Sequence, residues 1–350
     1  MVDLDYIYTS KLPNENANSV HVLHFSEALS KKFSFRLFAE ITTEPKDIFS
    51  KYNIKDKFHI EKININSKYL FILSLIFKRK LKDNIYTRDF FCALLISLFK
   101  KKVIWESHVF QDNLRYRFFY NLASKLDLFH KIVFITYALE SKFRNYFQKE
   151  KKIVLPDGCR EQSNIKVHKQ KSILNIGYVG SFHEGKGVDT VIKVAEKVKQ
   201  HNFIIIGGTK KQIKLAKEYS PENVDFKGYL DQKKLTDMYY QLDIALLPNK
   251  PSVKLFSKGL EIGDVTSPMK LFEYFAFGLP IISSDLPVLR EILNGKNSIL
   301  VPFGNIKNWA EAIEKLEDYK FRQLISNSGL NDFNKKYSWK IRSKKIFELM

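Results

Sequence analysis

Short apolar runs alternate with helix-period stretches along the whole chain. In the first half the runs at Asp5–Thr9, Phe35–Ala39, His59–Ile63, Asn84–Thr87, Val103–Glu106 and Ile132–Thr136 predict strands. In the second half the same signal appears at Leu174–Val179, Phe203–Ile206, Val224–Phe226, Ile244–Leu247, Pro280–Ser283 and Ser298–Val301. Each run is rich in Ile, Val, Phe or Tyr. Between them lie amphipathic segments such as Val188–Lys199 and Asp231–Gln241. Strand and helix in alternation predict α/β architecture with parallel sheets covered on both faces. The polar stretch Leu155–Ser172 breaks the rhythm and reads as a linker. The expectation is two doubly wound, Rossmann-like domains, 1–165 and 166–336, with a helix at about 337–350 packing back onto the first. In such sheets ligands bind beyond the carboxyl ends of the strands, and a cleft between two facing domains is the default site.

Composition narrows the class. Hydrophobic residues make up 45% and charged residues 27%, which excludes a disordered or collagen-like chain. Two cysteines, Cys92 and Cys159, exclude a disulfide scaffold and multi-cysteine zinc patterns. The net charge is +20, and residues 51–170 hold 25 basic against 11 acidic side chains. That bias suits a polyanion or an anionic membrane face, or it reflects general use of Lys as a solvated residue. No run reaches the length needed to span a bilayer; the longest are Tyr69–Phe77 and Phe90–Phe99. Asp3 and Asp5 stand where a signal peptide would be basic. The expected location is cytoplasmic, soluble or peripheral on the membrane's inner face.

The chemistry concentrates in the second half. In TSPMKLFEYFAFGLP (Thr266–Pro280), Ser267 is a good N-cap, Pro268 suits the first helical position, and Gly278 with Pro280 stops the helix. The helix start offers backbone N–H groups at Ser267, Met269, Lys270 and Leu271 and the positive end of a dipole. Lys270 adds a charge, so the site suits a phosphate. Glu273, one turn deeper, can accept from paired hydroxyls such as those of a ribose. The competing reading is an ordinary capped helix with an exposed Lys–Glu pair. The segment GYVGSFHEGKG (Gly177–Gly187) follows a predicted strand. Its glycines at 180, 185 and 187 permit close approach of backbone to ligand, and Lys186 can neutralise a diphosphate. Its spacing fits neither a Walker loop nor GxGxxG.

In order, GYVGSFHEGKGVDTV, IIIGG, VDFKGYLDQKKL, YYQLDIALLP, SPMKLFEYFAFGLPIISSDLP and LREIL resemble the C-terminal domain of retaining glycosyltransferases of family 4. That resemblance runs over nearly all of 173–350 and implies the GT-B fold. SVHVLHFSEAL, IYTRD, VIWESH and IVLPDG resemble landmarks of the acceptor-side domain. It implies that Lys186 and the amides at Ser267–Leu271 bind a donor diphosphate, with Gly180 and Ser181 in the same loop. Glu273 would bind the ribose, and Tyr229, Gly207 and Gly208 would lie near the nucleobase. His108 would be the active-site histidine near the donor sugar, with Glu106 a second candidate in the same motif.

Two departures stand out. The family pairs two glutamates with seven residues between them, but Val265 occupies the first position. Asp264 and Glu261 are possible stand-ins. The family also places an arginine shortly before its donor lysine, where Ser181 stands here. The implied reaction moves a glycosyl group from a UDP- or GDP-type nucleotide sugar to an acceptor hydroxyl, with retention. Lys186, Lys270 and the helix start would stabilise the departing diphosphate without a metal or other cofactor. Glycosidase-type paired carboxylates are not expected.

Outside those motifs, His21 and His24 read as structural histidines. Arg88 and Asp89 follow a strand and suit either an anionic acceptor or a surface ion pair. Lys68–Lys82, KYLFILSLIFKRKLK, joins an apolar helix to a basic cluster, as in a helix lying on an anionic membrane. The alternative is a buried helix with a solvated end. The expected partners are a nucleotide-sugar donor, a glycan or lipid-linked acceptor and an anionic membrane surface, with no nucleic acid. A nucleotide-sugar epimerase, a phosphorylase and a non-catalytic polyanion-binding protein are the competing functions.

Overall fold

The computed structural model describes residues 2–14, 17–63, 68–77, 80–99, 101–252 and 263–350. The chain divides into two compact units, Met1–Asp157 with Trp339–Met350, and Gly158–Ser338.

The first unit contains β1 (Val2–Leu12), β2 (Phe33–Ile41), β3 (His59–Lys62), β4 (Asn84–Thr87), β5 (Lys102–Ser107), β6 (Lys131–Phe134) and β7 (Lys152–Val154). The order is β3-β2-β1-β4-β5-β6-β7 and every pairing is parallel. The order reverses between β1 and β4, so ligands are expected at their carboxyl ends. Leu4, Tyr6, Ile85, Tyr86, Ile104, Trp105, Ile132 and Val133 are all buried. Successive side chains point to opposite faces, so both faces of the sheet are covered, and this is why the strands read as continuous apolar runs. Strand β7 is absent from the sequence-based expectation. Three residues at a sheet edge, behind a Lys-rich turn, are too short to show a period.

The second unit contains β8 (Asn175–Val179), β9 (Asn202–Ile206), β10 (Val224–Gly228), β11 (Ile244–Leu247), β12 (Ile281–Ser284) and β13 (Ser298–Val301). Its order is β10-β9-β8-β11-β12-β13, again all parallel. The reversal falls between β8 and β11. Helix Val188–Lys197 buries Val188, Val191, Ile192 and Ala195 in a core with Ile176, Phe203, Leu246 and Trp309. The spacing i, i+3, i+4, i+7 is one face of a helix.

The polar stretch at 155–172 is not a free linker. The division falls after Asp157 rather than at residue 165, and the following residues pack on the second unit. Lys166 Nζ lies 3.0 Å from Asp243, and buried His168 bonds the Gly278 carbonyl at 2.9 Å. Arg322, fully buried, donates to the Lys169 carbonyl at 2.7 Å. These side chains trade exposed charge for backbone partners, which polarity along the chain does not reveal. The last helix, Trp339–Glu348, belongs to the first unit. Helix Lys68–Phe77 buries Ile72 and Leu75 while Leu70 and Phe77 stay exposed. Lys78 and Arg79 lie outside the described residues. Among the described residues, no helix is long and apolar enough to cross a membrane.

Candidate functional site

In the second unit, glycines cluster at the carboxyl ends of three adjacent strands: Gly180 after β8, Gly207 after β9 and Gly228 closing β10. Gly180 N–H donates to the Ile206 carbonyl at 3.0 Å and Gly207 N–H to the Gly228 carbonyl at 2.8 Å. At Gly207 φ is +119°, and a Cβ would lie 1.9 Å from the Gly180 oxygen. No other residue fits there. Gly208 sits against the Phe182 ring, where a Cβ would come within 2.9 Å. The Ser181 carbonyl accepts from Tyr178 OH at 2.8 Å, and the Tyr229 ring is exposed.

Lys186 closes the loop that follows Gly180. Its amide donates to the His183 carbonyl at 3.0 Å, and Lys250 N–H bonds the Gly185 carbonyl at 2.8 Å. Gly187 packs on the Pro248 carbonyl just past β11. The loops at the β8/β11 reversal are therefore stitched together. Burial lowers the Lys186 ammonium from its ordinary range. Among the described residues no carboxylate faces it. A partly buried cation without a counter-ion costs stability and is poised for an anion.

Helix Met269–Ala276 starts one residue later than its sequence suggests. Pro268 holds the N-cap position without a side-chain cap, and the buried Ser267 hydroxyl has no partner. Ser267 therefore does not cap the helix. Leu271 N–H already donates to the Pro268 carbonyl at 3.0 Å, so the amide set for an anion shrinks to its neighbours. Gly278, φ +66°, ends the helix as expected. Glu273 is buried rather than paired at the surface. Its Oε2 accepts from Lys270 Nζ at 2.7 Å and from Tyr239 OH, while Lys270 Nζ lies 3.4 Å from that hydroxyl. Lys270 is thus partly neutralised, leaving Lys186 as the freer charge. Burial pushes the Tyr239 phenol well up, with Glu273 adding to it, so it remains a donor. Tyr239 carries no signal in the sequence beyond a helical position. Val265 is buried and Asp264 exposed, while Glu261 lies outside the described residues.

The first unit holds a different centre, past β4 and β5. Glu106 is fully buried. Its Oε2 accepts from Arg342 Nη2 at 2.7 Å and from Tyr86 OH, while its Oε1 contacts His108 Nε2. Burial would raise the Glu106 carboxyl; Arg342 and His108 outweigh it and hold it well below the carboxylate range. The ionised Glu106 places the His108 hydrogen on Nε2 and leaves Nδ1 as an acceptor. Burial, and repulsion by Arg88, lower the His108 pKa. Glu106 is therefore an orienting group for His108; with both oxygens engaged and no exposure it does not contact an acceptor.

His21 lies beside them, its Nδ1 3.1 Å from Asp157 and its Nε2 3.5 Å from Glu106. Burial, then Arg88, lowers its pKa to about 4. His21, His108 and Asp157 present ligand atoms within 4.8 Å of one another. Arg342 Nη2 lies 2.7 Å and Arg88 Nε 3.5 Å from the Glu106 carboxylate. Arg342 also donates to the Pro156 carbonyl at 3.0 Å and stacks over Phe25 at 4.7 Å. Nothing in the sequence links Arg342 to a glutamate 236 residues away.

The model of the family described as Glycosyl transferases group 1 matches residues 174–318, the span that carries Lys186, Tyr239 and Glu273. A crystal structure of Anabaena Alr3699/HepE in complex with UDP and glucose aligns over 99% of both chains, with TM-score 0.71 and 12% identity. The chain has the GT-B fold. Among curated proteins, this GT-B chain is 30% identical over 149 residues to an uncharacterized 41.2 kDa protein in the cps region of Klebsiella pneumoniae. It is 28% identical over 124 residues to the alpha-galactosylglucosyldiacylglycerol synthase of Streptococcus pneumoniae. Those alignments take in 41% and 33% of this chain and 37% and 30% of the two relatives, so the chain spans well under two thirds of their length.

Proposed function

We propose that the protein is a retaining glycosyltransferase that uses a UDP- or GDP-type nucleotide sugar. The observation that carries this reading is Lys186, a partly buried ammonium without a counter-ion among the described residues, at the strand reversal of the second unit. A nucleoside diphosphate supplies the missing charge. As the glycosyl–oxygen bond breaks, negative charge grows on the departing diphosphate, and Lys186, the Met269 and Lys270 amides and the helix dipole stabilise it. No metal step enters this route. Glu273 Oε1, which carries no bond among the described residues, accepts from the ribose hydroxyls. Tyr239 and Lys270 hold that carboxylate in place. In the first unit, Glu106 holds His108 with one ring edge open, which suits the active-site histidine that the family resemblance implies. With retention, the acceptor attacks the face from which the diphosphate departs, and a leaving oxygen takes the acceptor's proton.

We place the reaction in assembly of a bacterial capsule, lipopolysaccharide or other glycoconjugate, on a glycan or lipid-linked acceptor, in the cytoplasm. The Klebsiella relative's position in a cps region supports this. Exposed Leu70 and Phe77, followed by basic chain, support docking on an anionic membrane surface.

Thermal shift against a panel of nucleoside diphosphates and their sugars tests the donor assignment. One base should stabilise the protein, and Lys186→Ala and Glu273→Ala should each weaken that binding by about tenfold or more. His108→Ala should lower turnover more than nucleotide affinity. Unchanged nucleotide affinity in both donor-site variants would overturn the assignment.

A further inference from the structure

Arg88 follows β4 at the strand reversal of the first unit, and its side chain is only 12% exposed. Its guanidinium has five N–H donors and makes only long contacts. The buried Nη1 has no partner. Nη2 lies 3.4 Å from Asn18 Oδ1 and Nε 3.5 Å from Glu106 Oε1. Both are longer than a good N–H···O bond. Glu106 is already spoken for, by Arg342 at 2.7 Å, Tyr86 and His108. Asn18 sits in the first turn of helix Ala17–Ser30, which carries no acidic residue in that turn. A helix start without an acidic residue in its first turn and a largely buried fork with an unpartnered Nη1 therefore share one place. Proteins rarely leave a buried guanidinium in this state unless something outside the chain completes it.

We infer that Arg88 is the centre of a second anion site, in the first unit, which takes an oxyanion, phosphate or carboxylate, borne by the acceptor. The fork of Nη1 and Nη2 matches two oxygens of either group. The assignment of the anion to the acceptor rests on the transferase reading; the site itself does not. An oxyanion there also reaches the histidines. Burial and the Arg88 charge both hold the His21 and His108 pKa values down, and neutralising Arg88 releases the second contribution. The other groups facing these rings are Glu106, Asp157 and Arg342, which the anion does not titrate.

The test uses the full chain carrying Lys186→Ala, so that the second unit does not compete for anions, and no donor or transfer step. His21 and His108 ring resonances, assigned by their loss in His21→Asn and His108→Asn, are followed during titration with inorganic phosphate and, separately, acetate. A saturable shift with a raised ring pKa is expected for at least one anion, and the one that acts names the class. Adding Arg88→Gln should weaken that response about tenfold or more, and Arg88→Lys should weaken it less. Arg88→Met should leave the melting temperature unchanged or raise it, because its contacts are long and Glu106 keeps Arg342, Tyr86 and His108. No shift with either anion, an undiminished shift in Arg88→Gln, or a marked fall in the melting temperature of Arg88→Met would each overturn the proposal. Failure of sugar transfer with an intact anion response would instead overturn the transferase reading alone.

Discussion

The centre around Glu106 and the loops around Lys186 bury charge in opposite ways. In the first unit one carboxylate is met by Arg342, Tyr86 and His108, drawn from β4, β5 and the last helix. In the second unit one ammonium is partly buried with no counter-ion among the described residues, on a loop shaped by glycines. The Glu106 carboxylate itself is complete without a ligand and serves to orient one ring. Lys186 is not, and on the proposed function its missing partner is the ligand. Closed networks contribute to fold and geometry; open ones give up stability so that binding restores it.

The largest effect that separates the two should come from removing one partner in the closed network. Arg342→Met takes from the buried Glu106 carboxylate its 2.7 Å cationic partner and should cost about 3–5 kcal/mol in denaturant unfolding. Adding Glu106→Gln should return most of that loss, since no charge is then stranded. Lys186→Ala, the matching change in the second unit, strands nothing and should be neutral or stabilising. Equal losses from Arg342→Met and Lys186→Ala would erase the distinction.

The same contrast governs what the sequence reveals. The second unit's site is built from contiguous segments: the Gly180–Gly187 loop and the helix Met269–Ala276 each lie within one short stretch of chain. Local spacing therefore marks Lys186, Lys270 and Glu273 before any coordinates, while Gly207 is marked by the family resemblance alone. The first unit's site joins His21, Glu106, Asp157 and Arg342 across the whole chain, and only the sheet order brings them together. His108 and Glu106 are visible at a strand end, but the partner that fixes them is not. The strands are legible because both faces are buried. The short edge strand β7 and the packing of Lys166, His168 and Arg322 are not, because tertiary backbone partners decide them.

A smaller effect bears on how each unit keeps imidazoles neutral. His21 in the first unit and His168 in the second both have pKa values lowered from 6.5 to about 4, chiefly by burial. The unfolded chain binds these protons more tightly than the folded one. Each histidine's contribution is therefore fully present above pH 6.5 and is lost progressively as the pH falls from 6.5 toward 4. Each can add a slope of up to about 1.4 kcal/mol per pH unit within that window. His21→Asn and His168→Asn should each flatten the dependence of unfolding free energy on pH there. An unchanged slope in either variant would mean that its imidazole is already charged in the folded protein.

The smallest effect concerns two helix starts in the second unit. Asp231 caps helix Gln232–Gln241, its carboxylate accepting from Lys234 N–H at 2.9 Å. Asp231→Ala should cost about 1 kcal/mol. Ser267 has the residue type of a cap but not the position; its hydroxyl is buried and unpaired beside the start of helix Met269–Ala276. Ser267→Ala should therefore change stability by no more than about 0.5 kcal/mol, with a small gain allowed because an unsatisfied hydroxyl disappears. If Ser267→Ala also weakens nucleotide binding, the hydroxyl joins Lys186 as a group left open for a ligand. A loss like that of Asp231→Ala would instead return Ser267 to the capping role its sequence suggests, and the helix start would then belong with the closed arrangements.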